Sequence, residues 1–155
     1  MRKIIISVVA IFIMLSFLPK NSVAQCRQQM VYACATRGNS IYLRDFNTRL
    51  KYSKNAHEAG TRWTVVLNKD AHYRFNLCTP EGYEDKIILT LYDSQHPEAT
   101  KPYGSTYDSK TGKHYSSFDF ICQKSGMYYV SIRLKTGVNA RKTCAVGILS
   151  FVGSN

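Results

Sequence analysis

The sequence predicts an all-β fold, an antiparallel jelly-roll-like β-sandwich with a short N-terminal extension that carries one helical turn or a short helix. Three observations predict it. Short runs rich in β-branched and aromatic residues recur from Trp63 to Val152, and turn formers punctuate them at Asn68-Lys69-Asp70, Pro80-Glu81-Gly82, Asp93-Ser94, Ser125-Gly126 and Thr136-Gly137. Within one run, Tyr73, Phe75 and Leu77 fall on one face while Arg74 and Asn76 fall on the other, the alternation of a strand with one packed and one wet side. Such spacing argues for a sandwich rather than a parallel sheet with helices.

The chain opens with Arg2 and Lys3, an apolar run from Ile4 to Leu18, and Ser22-Val23-Ala24 before Gln25. That is the pattern of a cleaved secretory signal over residues 1–24. The apolar run is 15 residues long, whereas a spanning helix needs roughly 20, so no stable membrane span is expected after cleavage. Gln25 separates Cys26 from the small residue that lipidation needs, so a lipid anchor is not expected either. Cleavage leaves 131 residues, enough for one cored domain. Residues 25–60 form its N-terminal extension and first strand, and residues 61–155 the sandwich body.

Residues 25–40 read as a polar stretch with a short helix at 28–35 that ends at Gly38-Asn39. Residues 41–50 alternate weakly, and 54–60 form a polar loop. The strand signal is clear at 63–67, 73–77, 86–92, 117–121, 127–134 and 143–152. Ser125-Gly126 reverses the chain between two of these runs. A positive φ at Gly126 would make valine damaging there.

All five cysteines, Cys26, Cys34, Cys78, Cys122 and Cys144, lie beyond the signal. In an oxidising compartment they give at most two intramolecular disulfides and one leftover thiol. A helix over 27–35 would hold Cys26 and Cys34 about 12 Å apart along its axis, too far for one disulfide. Phe118 and Phe120 point the same way as Cys122, which places that cysteine on the core side, with Cys78 or Cys144 as preferred partners. Alternation sets Cys78 opposite Tyr73, Phe75 and Leu77, so that pairing requires a bulge or the strand's end. The absence of CxxC and the scatter of His57, His72, His96 and His114 give no zinc pattern.

The strings HYRFNLC, KIILTLYDS and SGMYYVSI, followed by AVGILSFV, resemble the ordered strands of bacterial pre-peptidase C-terminal domains over residues 61–153. The resemblance implies a small jelly-roll-like sandwich of the kind attached to secreted hydrolases, some of which bind calcium. No catalytic domain stands beside it here, so the role of a protease appendage does not carry over. The whole layout, from the start at Gln25-Cys26 to the terminal CAVGIL, also resembles small exported Bacteroidota proteins of unassigned activity.

Of 21 Lys and Arg, signal cleavage removes Arg2, Lys3 and Lys20, so 18 face 10 Asp and Glu, a net charge of +8. A basic exported protein meets acidic surfaces such as anionic glycans or an acidic protein, and nucleic acid is a poor fit to that compartment. Catalysis is not expected: GxSxG and HExxH are absent, and His114 eight residues before Cys122 is weak support for a thiol nucleophile. No cofactor is expected. Glu81, Glu84, Asp85 and Asp93 could offer oxygen ligands to calcium, but they lack the order of a calcium loop, and a solvated acidic turn is the preferred reading.

Binding is the stronger class. The long polar stretch at 96–117 interleaves Tyr103, Tyr107 and Tyr115 with Lys110, Lys113 and His114, a composition suited to adaptable contacts with an anionic partner. The first reading is a non-catalytic exported binding or accessory protein of the bacterial envelope, in the periplasm, at the outer membrane or outside the cell, with a protein partner. The alternative is a carbohydrate or cell-surface polymer-binding module, and the remote alternative a hydrolase or hydrolase inhibitor. A flat row of exposed tyrosines would favour glycan, and an apolar patch with a polar rim would favour protein.

Overall fold

The computed structural model describes residues 30–35, 39–53, 60–93, 101–139 and 142–154. The signal-peptide reading of residues 1–24, Cys26, His57 and His96 lie outside the described residues. A short helix, α1, spans residues 30–35. Eight strands follow among the described residues: β1 (Ile41–Leu50), β2 (Gly60–Leu67), β3 (Ala71–Cys78), β4 (Ile87–Tyr92), β5 (Gly104–Ser105), β6 (Ser117–Ile121), β7 (Gly126–Leu134) and β8 (Thr143–Ser154).

The strands form two four-stranded antiparallel sheets, ordered β1-β8-β3-β6 and β2-β7-β4-β5. Consecutive strands mostly change sheet, the arrangement of a jelly roll. The predicted runs all become strands; the two-residue β5 lies inside the long polar stretch, where its Gly-Ser sequence carries no β-propensity signal.

Between the sheets lies a core of alternating residues: Phe46 and Leu50 from β1, Tyr73, Phe75 and Leu77 from β3, Ile87, Leu89 and Leu91 from β4, and Tyr128, Val130 and Ile132 from β7. Each such side chain contributes about 1.5–3 kcal/mol when fully buried. Phe75 and Phe118, opposite one another on β3 and β6, stack with centroids 5.1 Å apart.

A second, smaller apolar cluster sits on the outer face of the first sheet. Cys34 of α1 packs there with Cys78, Val146 and Ile148, flanked by Met30 and Val31. Cys34 and Cys78 are joined as a disulfide. Cys144 is also disulfide-bonded, to a residue outside the described ones, and its Sγ lies 3.6 Å from Met30 Sδ.

The expected pairing of Cys122 with Cys78 or Cys144 is therefore corrected. Cys122 is a buried free cysteine inside the sandwich. The alternation that drives Tyr73, Phe75 and Leu77 inward turns Cys78 outward, and Ala145 and Leu149 do the same to Cys144 on β8. A whole sheet separates those sulfurs from Cys122. The conditional reading of Gly126 also changes: among the described glycines positive φ occurs at Gly82, Gly112 and Gly137, while Gly126 opens β7 opposite Leu67.

The two ends of the sandwich differ. At one end the 68–70 and 122–125 turns meet, with Asp70 N–H donating to the Cys122 carbonyl at 2.8 Å and Lys69 N–H to Ser125 Oγ at 2.7 Å. At the other end lie the turn before β4, the chain leaving β7, tied by Lys135 N–H to the Lys86 carbonyl at 2.8 Å, and the segment after β5.

Candidate functional site

The polar stretch between β4 and β6 is an ordered hairpin from residue 104 onward. Gly104 lets β5 lie against Phe118, where a Cβ would stand 2.3 Å from Phe118 Cε2. Thr106 is fully buried; its N–H donates to the Leu89 carbonyl at 2.9 Å and its Oγ1 accepts from Leu89 N–H at 2.9 Å. The root of the hairpin is thereby fixed to a core strand.

Beyond Thr106 the chain turns back on itself. Tyr107 and His114 form an isolated antiparallel bridge, and their rings lie 4.6 Å apart. Asp108 N–H donates to the Lys113 carbonyl at 2.9 Å, and Gly112, at φ 72°, donates its N–H to the Asp108 carbonyl at 2.8 Å. The Asp108 carboxylate accepts from Thr111 Oγ1 at 2.7 Å and from Lys110 N–H at 2.8 Å. Those bonds to the charged form, the Thr111 hydroxyl first, hold Asp108 below the usual carboxylate pKa range. One side chain thus shapes the tip, leaving Lys110 and Lys113 exposed on it.

The neck is framed by cations and rings. Lys135 Nζ stands 4.6 Å over the Tyr107 ring. Burial, and secondarily Lys135, push His114 below the ordinary histidine pKa, with Asp85 opposing the shift. Both ring nitrogens of His114 are buried and have no hydrogen-bond partner. Tyr115 is half exposed, and its N–H donates to the Thr106 carbonyl at 2.8 Å.

At the foot of the hairpin a cavity of about 270 Å³ is lined by Leu77, Cys78, Thr79, Glu84, Asp85, His114, Tyr115 and Ser116. Its floor is the end of β3, which the Cys34–Cys78 disulfide anchors to α1.

The structure thus brings together five of the six predicted binding residues, Tyr107, Lys110, Lys113, His114 and Tyr115. Tyr103 goes elsewhere. Its N–H donates to the Leu91 carbonyl, its hydroxyl donates to Asp93 at 3.2 Å, and its ring packs on Phe120 and Tyr128 at the opposite end of the sandwich. Burial, then the Asp93 charge, raise the Tyr103 pKa. A β-strand separates the two sites, because β5 runs antiparallel to β4 and carries the chain from one end to the other.

The remaining candidates are dispersed by the same topology. Asp93 ends β4 at the Tyr103 end, whereas Glu84 and Asp85 precede it, and six strand residues span about 20 Å. Among the described residues no three His, Cys, Asp or Glu side chains gather to hold a metal ion. His114 and Cys122 flank opposite ends of β6. The Cys122 thiol lies 3.2 Å from the Lys124 carbonyl and 3.5 Å from the Tyr128 hydroxyl.

One surface feature escapes sequence reading. Val66 and Met127, directly opposite on β2 and β7, are 72% and 62% exposed on the outer face of the second sheet. Their phase opposite to the buried Val65 and Tyr128 marks them as outward, but nothing in the local sequence shows how exposed they are left. Among the described residues no helix is long and apolar enough to cross a membrane.

No family model and no curated protein matches the chain. Among solved structures, the crystal structure of Aeromonas hydrophila PliG, a periplasmic lysozyme inhibitor of g-type lysozyme, is similar in fold, with a TM-score of 0.55 and 8% identity over 72% of this chain and 88% of that chain.

Proposed function

We propose that the protein is a non-catalytic exported binding module that engages a protein partner through the 107–115 hairpin, and that the partner is an envelope or secreted hydrolase held inhibited by the contact. The observation that carries this reading is the built tip. Asp108 shapes the turn before any partner arrives, Thr106 roots it in the core, and Lys110 and Lys113 project from it. A loop already in its bound shape loses little conformational entropy on docking, and its cations steer it to an acidic surface.

The distribution of aromatics supports a protein rather than a glycan partner. Tyr107 is covered by His114 and Lys135, and Tyr103 lies at the far end, so with Tyr115 they make no stacking row. The two intersheet-independent disulfide positions, Cys34–Cys78 and Cys144, support export to an oxidising compartment. The fold shared with a periplasmic lysozyme inhibitor supports inhibition as the form the binding takes.

The test is inhibition of muralytic enzymes, a g-type lysozyme among them, by the purified protein, with the Lys110→Glu/Lys113→Glu variant alongside. Stoichiometric inhibition that the double variant loses supports the proposal. Retention on isolated cell wall or polysaccharide, with no enzyme inhibited and no protein captured by crosslinking, gives the place to the glycan-binding reading.

A further inference from the structure

We infer that the hairpin is gated by pH: a proton taken up by His114 expels its ring from the neck, frees the chain from Tyr107 to Tyr115 and releases the protein partner. The release rests on the protein-binding reading, whereas the opening of the hairpin stands without it.

Three consecutive rungs hold the neck. Tyr115 N–H donates to the Thr106 carbonyl at 2.8 Å, Tyr107 and His114 form the β-bridge, and Asp108 N–H donates to the Lys113 carbonyl at 2.9 Å. The His114 ring packs the middle rung, 4.6 Å from the ring of Tyr107. Both of its nitrogens are shielded from solvent and have no hydrogen-bond partner. A neutral imidazole leaves one N–H unmet in that place, whereas an imidazolium would leave two together with a buried charge, which costs far more. The protonated ring must therefore leave the neck to reach water.

The surrounding charges set the direction. Lys135 Nζ stands 4.6 Å over the Tyr107 ring, so a protonated His114 would share that ring with a second cation. Asp85, in the turn before β4, opposes the repulsion, and Glu84 beside it lines the same cavity as His114. On its own strand the neighbouring cation, Lys113, is exposed. Burial and then Lys135 outweigh Asp85 and keep His114 below its ordinary pKa in the ordered hairpin. In the open hairpin the ring lies in water and takes up a proton near the ordinary value, about 6.5. Order is thus present above that pH and lost as pH falls through the lower pKa of the ordered hairpin.

The flanking parts of the hairpin are held independently of that ring. The Asp108 carboxylate, bonded to Thr111 and Lys110, lies below the usual carboxylate range and stays charged while His114 titrates. Thr106 is tied to Leu89 through both its amide and its hydroxyl. The root therefore persists while the neck opens.

The test follows amide exchange and the His114 ring by NMR on the whole mature protein from pH 7 to pH 5, with exchange expressed relative to the unstructured chain at each pH. One proton shifts an equilibrium by up to about tenfold per pH unit, so protection of the Asp108 and Tyr115 amides is expected to fall by at least about tenfold, at the midpoint of the His114 titration. The Thr106 amide should keep its protection. His114→Phe retains a ring against Tyr107 together with Glu84 and Asp85, and should show no such fall. Lys135→Met should move the midpoint to higher pH. Constant protection in the wild type, an equal fall in His114→Phe, or an unmoved midpoint in Lys135→Met would each overturn the gate. Affinity for a g-type lysozyme, or another muralytic enzyme that the protein inhibits, should drop between pH 7 and pH 5 about tenfold more than it does in His114→Phe. An equal drop in the two would overturn the release. Opening of the hairpin with no such enzyme inhibited counts against the hairpin-binding reading and leaves the gate standing.

Discussion

Tyr107 and His114 face each other across the neck of the hairpin, paired as a β-bridge with ring centroids 4.6 Å apart. The contact is made with a histidine that burial, then Lys135, keep below its ordinary pKa. Below about pH 6.5, the unperturbed histidine value, the unfolded chain therefore binds a proton at this position more readily than the folded one. Stability contributed by His114 is present above that pH and lost as pH falls through the folded pKa. The thermal midpoint should accordingly decline on acidification from pH 7 to 5, and His114→Gln should flatten that part of the profile. An identical slope in the variant would remove His114 from the account.

Asp108 governs shape rather than stability. Its carboxylate bonds within its own turn, to Thr111 Oγ1 and Lys110 N–H. Asp108→Ala should leave the thermal midpoint unchanged while amide exchange at Lys110 and Gly112 quickens. Inhibition or partner capture should weaken at the same time, because the ordering entropy then falls on the binding step. Asp108→Asn keeps an acceptor for these bonds and should recover most of the loss. A variant with faster exchange and full affinity would separate the tip's rigidity from its function.

Much of the sandwich is legible in the sequence because a strand with one buried face must alternate, and Tyr73-Arg74-Phe75-Asn76-Leu77 does so visibly. The same alternation contained the answer for the cysteines. Cys78 falls out of phase with the inward residues and Cys122 in phase with Phe118 and Phe120, so a bond between them was never compatible with regular strands. What alternation cannot supply is the presence of α1 on the outer face, since Cys34 reaches Cys78 across 44 residues of sequence. The hairpin was legible as composition, five of its six residues being brought together. Tyr103 was not, because the position of β5, two residues long, decides which tyrosines reach which end of the sandwich.

The Cys34–Cys78 bond closes a segment of 44 residues and fixes α1 against Val146 and Ile148. By restricting the unfolded chain it contributes about 2–4 kcal/mol. Cys34→Ala/Cys78→Ala should lower the unfolding free energy in urea by that amount, with both cysteines removed so that no thiol is left to mispair. Cys122→Ala should leave both disulfides in place and release one thiol fewer on unfolding without reductant. Persistence of full stability in the double alanine variant would mean that packing of α1, rather than the crosslink, holds the outer face.

Two glycines make opposite predictions. Gly126 opens β7 with no positive φ, and a Cβ there meets nothing within 4 Å. Gly126→Val should therefore change stability by less than about 0.5 kcal/mol. A Cβ at Gly104 would stand 2.3 and 2.4 Å from two ring carbons of Phe118, the ring stacked on Phe75. To make room, either Phe118 must leave that stack or β5 must leave β4. Gly104→Ala should cost about 1–3 kcal/mol, as overpacking does, and should loosen the hairpin that β5 seats. Trimming the obstructing ring distinguishes a local clash from a backbone requirement. In the Gly104→Ala/Phe118→Leu variant the cost of the alanine should largely vanish relative to Phe118→Leu alone. A cost that persists in that background would mean that Gly104 is needed for its backbone and not for the space it leaves.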